Sequence, residues 1–213
     1  MQTIDMDVWP RRKHFQFFNR MDYPHINICA NVDVTKTLRF IKENDLSVFK
    51  CLLYLIVRAA NETEALRMRI RNQTVVLHDR VHPSFTVLTE NDTFGFAYAE
   101  YTIDAPDFLK RVELAILRSK EDIYLEDEAG RDDYLFLSCL PWIHFTSVAH
   151  PIDMHPVDSV PRISWGKIDE NHGNMPVSLQ AHHALVDGIH MSAFFEALQN
   201  HLNQPGTIFE KTS

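Results

Sequence analysis

The chain has 213 residues, of which 45% are hydrophobic and 23% are charged, and its formal net charge at pH 7 is -8. This length and composition are typical of a soluble globular protein that buries a sizeable core without disulfides or a structural metal. The acidic balance argues against nucleic-acid binding, since nucleic-acid-binding proteins usually present a basic face. A local basic patch for a phosphorylated cofactor is still compatible with it.

The cysteines and the apolar segments indicate a cytoplasmic protein. Cys29, Cys51 and Cys139 form an odd, sparse set without CxxC spacing, which favours reduced thiols in apolar surroundings. Residues 1–8 lack the apolar core of a secretory signal. The longest apolar run, residues 52–57, is too short to span a bilayer, so we expect no membrane insertion.

Hydrophobic periodicity predicts alternating strands and helices within one domain over residues 1–213, because no repeat or Gly/Ser linker divides the sequence. In chain order, we expect a strand at 26–32, a helix at 47–67, strands at 74–78 and 84–88, a helix at 107–120, strands at 134–140, 142–147 and 177–182, and a helix at 189–202. Ser47 is positioned to cap the first helix. The acidic stretch 121–133 is predicted to be a solvated loop.

The order of these elements favours an α/β (α+β) fold in which helices pack on a mixed β-sheet. Several strands are bounded by polar turns rather than each being followed by a helix. A strict βαβ array is therefore disfavoured.

Residues 180–190, Gln-Ala-His-His-Ala-Leu-Val-Asp-Gly-Ile-His, concentrate the side chains that could carry chemistry. Successive side chains of a strand point to opposite faces, so only one of His182 and His183 can point into a cleft while the other packs or bonds locally. Histidine is the natural general base near neutral pH, and a positioned base contributes roughly 100- to 10,000-fold in rate. Asp187 is placed to bind a cation or to fix the loop, and Gly188 is expected to permit a tight turn.

Two other interpretations of this segment stay open. Any one histidine can be an ordinary core or surface residue, and the chain has twelve. His182, His183, Asp187 and His190 could also ligate a metal. However, Gly188 and the strand-like sequence before it argue against the helical spacing that this requires, and no Cys or Glu completes the set, so we expect no metal. GxSxG, Walker A and GxGxxG motifs are absent.

The segment from His182 to Gly188 matches the HHxxxDG signature of the chloramphenicol acetyltransferase family. Condensation domains, plant acyltransferases and the acyltransferases of 2-oxo acid dehydrogenases carry the same or a related form. Four further blocks resemble the chloramphenicol acetyltransferases in the same order along the chain, between about residue 7 and residue 202: residues 9–17 (WPRRKHFQF), 53–68 (ending in EALRM), 82–87 (HPSFTV) and 138–142 (SCLPW).

The resemblance implies a two-layer sandwich, a mixed β-sheet with helices packed on it as in the chloramphenicol acetyltransferases. It also implies a homotrimer with the active site between subunits. It implies that His183 removes the proton of an acceptor hydroxyl, which attacks the thioester of acetyl-CoA directly, with no permanently bound cofactor. Ser138 falls where the family has the serine that hydrogen-bonds the tetrahedral oxyanion, a contact worth roughly a few kcal/mol in a dry site. Asp187 and Arg11 would form a structural ion pair. Without the resemblance, Ser138 and Arg11 would be an ordinary strand hydroxyl and a solvated cation.

Other positions correspond to substrate-binding positions of the family. Ser164 falls where a threonine binds water beside the reacting centre, and Lys167 could approach a phosphate of CoA. Each could equally be a surface residue.

Phe17, Phe18 and Phe94 match positions of the aromatic acceptor pocket. Phe18 lacks the hydroxyl of the tyrosine usual at its position, and Val148 replaces another phenylalanine.

The sequence therefore predicts an acetyl-CoA-dependent O-acetyltransferase, with chloramphenicol as the named acceptor and antibiotic resistance as the associated role. The altered pocket leaves open a different hydroxyl, amine or thiol acceptor, since hydrogen bonds decide acceptance more sharply than apolar bulk. A binding protein that kept the fold but lost activity is the non-enzymatic alternative. A dehydrogenase-complex acyltransferase is less favoured, because no lipoyl domain or Ala/Pro-rich linker precedes the catalytic motifs.

Overall fold

A computed structural model of the chain describes residues 1–121, 125, 128, 130–155 and 157–209, without the side chains of residues 91 and 121. Six residues of the acidic stretch that was predicted to be a solvated loop, residues 121–133, lie outside the described residues. None of the described helices is long and apolar enough to cross a membrane.

The described residues form nine strands and six helices. The strands are β1 (Gln2–Thr3), β2 (His25–Asp33), β3 (Met68–Arg71), β4 (Thr74–Leu77), β5 (His82–Leu88), β6 (Phe94–Tyr98), β7 (Tyr134–Leu140), β8 (Arg162–Gly166) and β9 (Asn174–His182). The helices are α1 (Arg12–Phe18), α2 (Thr35–Glu43), α3 (Val48–Glu62), α4 (Ala105–Glu121), α5 (Gly188–Asn203) and α6 (Gly206–Phe209).

Six strands form the main sheet, in the order β2-β9-β8-β7-β5-β6. β7 runs parallel to both β5 and β8, and the other neighbours in this sheet are antiparallel. β1, β4 and β3 form a separate three-stranded antiparallel sheet. The predicted fold class, a mixed sheet with helices packed on it, is therefore confirmed.

Helix α3 lies at the centre of the helical layer. Ser47 caps it as predicted, with its hydroxyl accepting a hydrogen bond from the backbone N–H of Lys50. Nine of its fifteen residues are buried. α3 packs against α4 and α5, and together these helices cover one face of the main sheet.

The two faces of the main sheet differ in chemistry because side chains alternate along each strand. Odd-numbered residues of β5, β7, β8 and β9 belong to the core under the helices: Phe85, Val87, Leu135, Leu137, Ile163, Trp165, Val177, Leu179 and Ala181. Even-numbered residues occupy the opposite face, which we call the polar face: Ser84, Thr86, Phe136, Ser138, Arg162, Ser164, Ser178, Gln180 and His182.

Residues 141–155 and 157–161 lie over the polar face without forming a regular element. The predicted strand at 142–147 is wrong, since these residues form turns and coil. The place beside β7 that this strand would need is taken by β8, through pairs such as Ser138 with Ser164. The apolar side chains that suggested a strand, Trp142 and Ile143, are instead 65% and 57% exposed.

Candidate active site

The two adjacent histidines diverge, as alternation along a strand predicts. His182 is the last residue of β9 and is only 1% exposed, whereas the side chain of His183 is 28% exposed. The backbone N–H groups of Leu185 and Val186 both donate to the carbonyl of His182, at 2.9 and 3.1 Å. The chain therefore makes a tight turn directly after β9, and this turn carries His183.

His183 is held on several sides. Its backbone N–H donates to the carbonyl of Pro24 at 2.7 Å, and its ring stacks on Phe18 with centroids 3.9 Å apart. Its Nδ1 lies 2.9 Å from the carbonyl oxygen of Val186 and 3.2 Å from Oδ1 of Asp187. Both neighbours are oxygen acceptors, so Nδ1 carries the ring proton of the neutral imidazole and Nε2 keeps the lone pair. A general base needs that lone pair.

Asp187 joins the motif to the first helix of the chain. Its carboxylate pairs with both terminal nitrogens of Arg11, and Nη2 of Arg11 also donates to the carbonyl of His183 at 3.3 Å. Asp187 is also the N-cap of α5, in a capping box where its own N–H donates to Nδ1 of His190 at 3.0 Å. The hydrogen bond from Arg11 holds the pKa of Asp187 below its usual range, so the carboxylate stays charged.

Gly188 has a different role from the predicted one. It is the first residue of α5, its φ lies outside the left-handed region, and an added Cβ would meet nothing within 4 Å. The turn is therefore made by the hydrogen bonds to His182 and by the cap at Asp187, not by the backbone freedom of glycine.

Replacement of Asp187 with asparagine should destabilise the protein by roughly 1–3 kcal/mol, because the partly buried Arg11 loses its counter-charge. Urea denaturation would measure this loss, and Asp7→Asn is the matched control, since the Asp7–Arg12 pair is largely exposed. Equal effects of the two substitutions would contradict a structural role for the Arg11–Asp187 pair.

Burial of His182 makes the stability of the protein depend on pH. Burial, reinforced by His25, lowers the pKa of His182 to about 4. An unfolded histidine titrates near 6.5, so between these values the unfolded state binds more protons and the free energy of unfolding falls as pH falls.

From pH 7.5 to pH 5 this contribution should amount to about 2 kcal/mol. Urea denaturation of the wild type and of His182→Gln at both pH values would measure it. The wild type should lose more stability than the variant on acidification, and equal losses would contradict the assignment.

A cavity of about 490 Å³ opens on the polar face, and no residue of the motif at 182–188 is among the described residues that line it. It is lined by Ser84, Thr86, Leu88, Phe94, Phe96, Phe136, Leu137, Ser138, Cys139, Leu140, Trp142, His150, Pro151 and Arg162. Ser138 lies in it, with its hydroxyl 3.3 Å from that of Thr86. Phe94 also lines this cavity.

A row of hydroxyl groups crosses the sheet beneath this cavity. Ser138 on β7 is paired with Ser164 on β8, which is paired in turn with Ser178 on β9. Thr86 on β5 extends the row through its contact with Ser138. Ser138 and Thr86, the two members of the row that line the cavity, can therefore donate hydrogen bonds to a molecule bound there.

His150 and Arg162 are site residues that the sequence analysis missed. Nε2 of His150 lies 3.0 Å from the hydroxyl of Ser164, and Arg162 pairs with Asp158 at 2.6 Å while its guanidinium lies over the ring of Phe136. Burial, with Arg162 nearby, lowers the pKa of His150, so its imidazole is neutral at neutral pH. No motif marks His150, because it lies in the irregular segment that covers the sheet.

The structure does not bring all of the sequence-predicted site residues together. Ser164 is fully buried beneath His150 and is not among the described residues that line the cavity. Phe17 is exposed, and Lys167 lies just after β8 with its backbone N–H bonded to the carbonyl of Ile143. Among the described lining residues, His183 is also missing from the cavity that holds Ser138. In a single chain, His183 and Ser138 therefore do not line the same described cavity.

The metal interpretation is not supported within the described part of the chain. No group of three or more His, Cys, Asp or Glu residues there is arranged to hold an ion. Asp187, which would be needed as a ligand, is engaged by Arg11 instead.

Comparison with known proteins decides the family. The family model described as "Chloramphenicol acetyltransferase" matches residues 1–199. The chain belongs to the chloramphenicol acetyltransferase family. It is an acetyl-CoA-dependent acetyltransferase.

Chloramphenicol acetyltransferase 3 of Escherichia coli is 28% identical over 204 residues, which cover 94% of this chain and 96% of that protein. A chloramphenicol acetyltransferase of Klebsiella sp is 27% identical, over 95% of this chain and 94% of its own. A solved chloramphenicol acetyltransferase has a TM-score of 0.84 at 27% identity, over 94% of this chain and 99% of its own. A dihydrolipoamide acetyltransferase of Azotobacter vinelandii (17% identical, 92% of this chain and 88% of its own) has a TM-score of 0.62 and shares the fold.

Proposed function

We propose that this acetyltransferase moves the acetyl group of acetyl-CoA to the hydroxyl of a small aromatic acceptor, with His183 as the general base. The observation that carries the proposal is the fixed tautomer of His183. Two oxygens at Nδ1, the carbonyl of Val186 and the carboxylate of Asp187, leave the lone pair on Nε2. The ring orientation is fixed by stacking on Phe18.

The proposed reaction has two steps. Nε2 of His183 removes the hydroxyl proton as the acceptor oxygen attacks the thioester carbonyl carbon. The resulting tetrahedral oxyanion receives a hydrogen bond from Ser138. Collapse then breaks the C–S bond, and the imidazolium returns the proton to the CoA thiolate. A preorganised donor such as Ser138 contributes roughly 3–4 kcal/mol to such a step.

A homotrimer would complete the site by placing His183 of one subunit against the cavity of the next. The separation of His183 from the cavity with Ser138 supports this arrangement. So does the apolar rim of the cavity, where Leu88 and Trp142 are more than half exposed in a single chain. Large exposed apolar side chains around a cleft are typical of a surface that a partner covers.

Chloramphenicol is the first acceptor to test, since the relatives of 26–28% identity are chloramphenicol acetyltransferases by name. The phenylalanine-rich walls of the cavity suit an aromatic acceptor. His150 and Arg162 bring polar groups to the same cavity, which favours the alternative of a different hydroxyl, amine or thiol acceptor with its own hydrogen-bonding groups.

Three further assignments belong to this proposal. Residues 1–213 act as one catalytic domain. Lys167, exposed beside the end of β8, contacts a phosphate of CoA. The enzyme works in the cytoplasm, where its three free cysteines stay reduced, and it confers antibiotic resistance if chloramphenicol is accepted.

Release of free thiol from acetyl-CoA, with chloramphenicol varied, tests the proposal. We expect saturable release that requires both substrates. If acetyl-CoA protects the protein against heat but no thiol is released with chloramphenicol, other hydroxyl, amine and thiol acceptors should be tested. Ligand protection with no release for any acceptor would indicate a binding protein and contradict the proposal.

A further inference from the structure

His25 and His182 face each other across the β2–β9 ladder, where they are direct partners in the register. Their rings pack edge to face, with centroids 5.2 Å apart and planes inclined by 67°. Each ring has one nitrogen that is sealed from solvent and lacks a hydrogen-bond partner within the described part of the chain, Nδ1 of His25 and Nε2 of His182.

The other nitrogen of each ring fixes the tautomer. Nδ1 of His182 accepts the backbone N–H of Ala184 at 3.2 Å, so the proton of neutral His182 is on Nε2. Nε2 of His25 lies 2.8 Å from the carbonyl oxygen of Asp158, so it carries the proton and Nδ1 carries the lone pair. The two unpartnered atoms are therefore a donor and an acceptor.

Both rings are neutral at neutral pH. Burial lowers the pKa of His25 as well as that of His182, and the titratable groups that act on the pair are Asp158, Arg162 and His183. A buried polar atom without a partner destabilises the fold, because it has lost its hydrogen bond to water and gained none in return. A direct hydrogen bond between the two rings would satisfy both atoms at once, because the rings are in contact and each carries one of the two atoms.

We propose that Nε2–H of His182 donates to Nδ1 of His25, and that His25 is thereby a positioning residue for His183. This role rests on the proposed function of His183, while the bond itself does not. The resulting chain of hydrogen bonds runs from the N–H of Ala184 through both rings to the carbonyl of Asp158. It links the catalytic turn to the segment that covers the cavity.

The position of His183 depends on this chain of hydrogen bonds through two backbone carbonyl groups. The carbonyl of His182 receives the N–H groups of Leu185 and Val186, and the carbonyl of Val186 holds Nδ1 of His183. If Nε2 of His182 loses its acceptor, the ring can move its proton to Nδ1. That proton would oppose the N–H of Ala184 and loosen the turn that orients the base.

The tautomer can be read without measuring activity. In protein labelled with ¹⁵N-histidine at pH 7.5, the signal that disappears in His182→Gln should show a proton on Nε2, hydrogen-bonded to a nitrogen. In His25→Leu the same signal should shift toward a mixture of tautomers. A proton on Nδ1 of His182 in the wild type would overturn the proposal, and so would an unchanged signal in His25→Leu. The wild-type spectrum decides the first point even if that variant folds poorly.

The positioning role can be tested by measuring the kinetics of two variants whose new side chains match each other in shape. His25→Asn keeps an acceptor near the place of Nδ1. His25→Leu has the same branched shape as the asparagine variant but has no acceptor. We expect His25→Leu to lose about 10-fold in kcat at an unchanged KM for acetyl-CoA, and His25→Asn to stay within about 3-fold of the wild type.

Equal kcat values for the two variants would contradict positioning. If the wild type turns over no acceptor, the proposed function fails while the spectrum still decides the histidine pair. If the wild type turns over normally but the His182 signal is unchanged in His25→Leu, the proposed function is supported and the hydrogen bond between His25 and His182 is contradicted.

Discussion

Replacement of His183 with alanine should lower the rate of acetyl transfer by roughly 100- to 10,000-fold, the usual contribution of a positioned general base. Binding of acetyl-CoA and formation of the proposed trimer should not change. The backbone N–H of residue 183 still donates to Pro24, and Arg11 still pairs with Asp187. Thiol release at saturating acceptor would measure the rate, and calorimetry would measure binding of acetyl-CoA.

His182→Ala is the matched control for this experiment. It removes a buried ring and should lower stability, but its effect on kcat should be smaller than that of His183→Ala. Retained turnover in His183→Ala would exclude it as the base. If His182 were the essential residue, the assignment of the two histidines to opposite faces would be wrong.

Mixing two inactive variants should restore activity if the site lies between subunits. His183→Ala lacks the base but keeps the cavity, and Ser138→Ala keeps the base but lacks the oxyanion donor, which is worth roughly 100- to 1,000-fold in kcat. A mixed trimer contains an interface at which an intact His183 faces an intact Ser138. Activity should therefore rise well above that of either variant after joint refolding.

Two controls make this result specific. Mixing the native variants without refolding should leave activity low, because stable trimers exchange subunits slowly. Refolding the double variant His183→Ala/Ser138→Ala with wild type should give no gain beyond the wild-type share. Absence of recovery in the mixed His183→Ala and Ser138→Ala assembly would show that both residues act within one chain.

The hydrophobic pattern of the sequence was sufficient to predict the strongly periodic elements. α3, α4, α5 and strands β2, β4, β5, β7 and β9 all occur near their predicted positions. Shorter elements such as α1 and α2 were missed, because seven to nine residues carry too few periods to distinguish a helix from a loop. The predicted strand at 142–147 failed because an alternating pattern cannot show whether a neighbouring strand is available.

The site residues likewise fall into those that the sequence predicted and those that it missed. The pairing of Arg11 with Asp187 could be expected from a family motif, although 176 residues separate them. His150 and His25 could not, because each acquires a role only through a contact across the fold, with Ser164 in one case and His182 in the other. Gly188 was interpreted from its general backbone freedom, and its observed place at the start of α5 does not use that freedom.

The position of β9 between β2 and β8 has a consequence for biosynthesis. β2 ends at Asp33 and finds its partner only when Asn174–His182 has left the ribosome. Until then the nascent chain exposes two sheet edges, on β2 and on β8, and such edges are sites of misassembly. Closing so long a loop is also slow. The last strand to be made is thus the one that joins the sheet and leads into His183, the proposed general base, so a chain that stops before it would lack the proposed active centre.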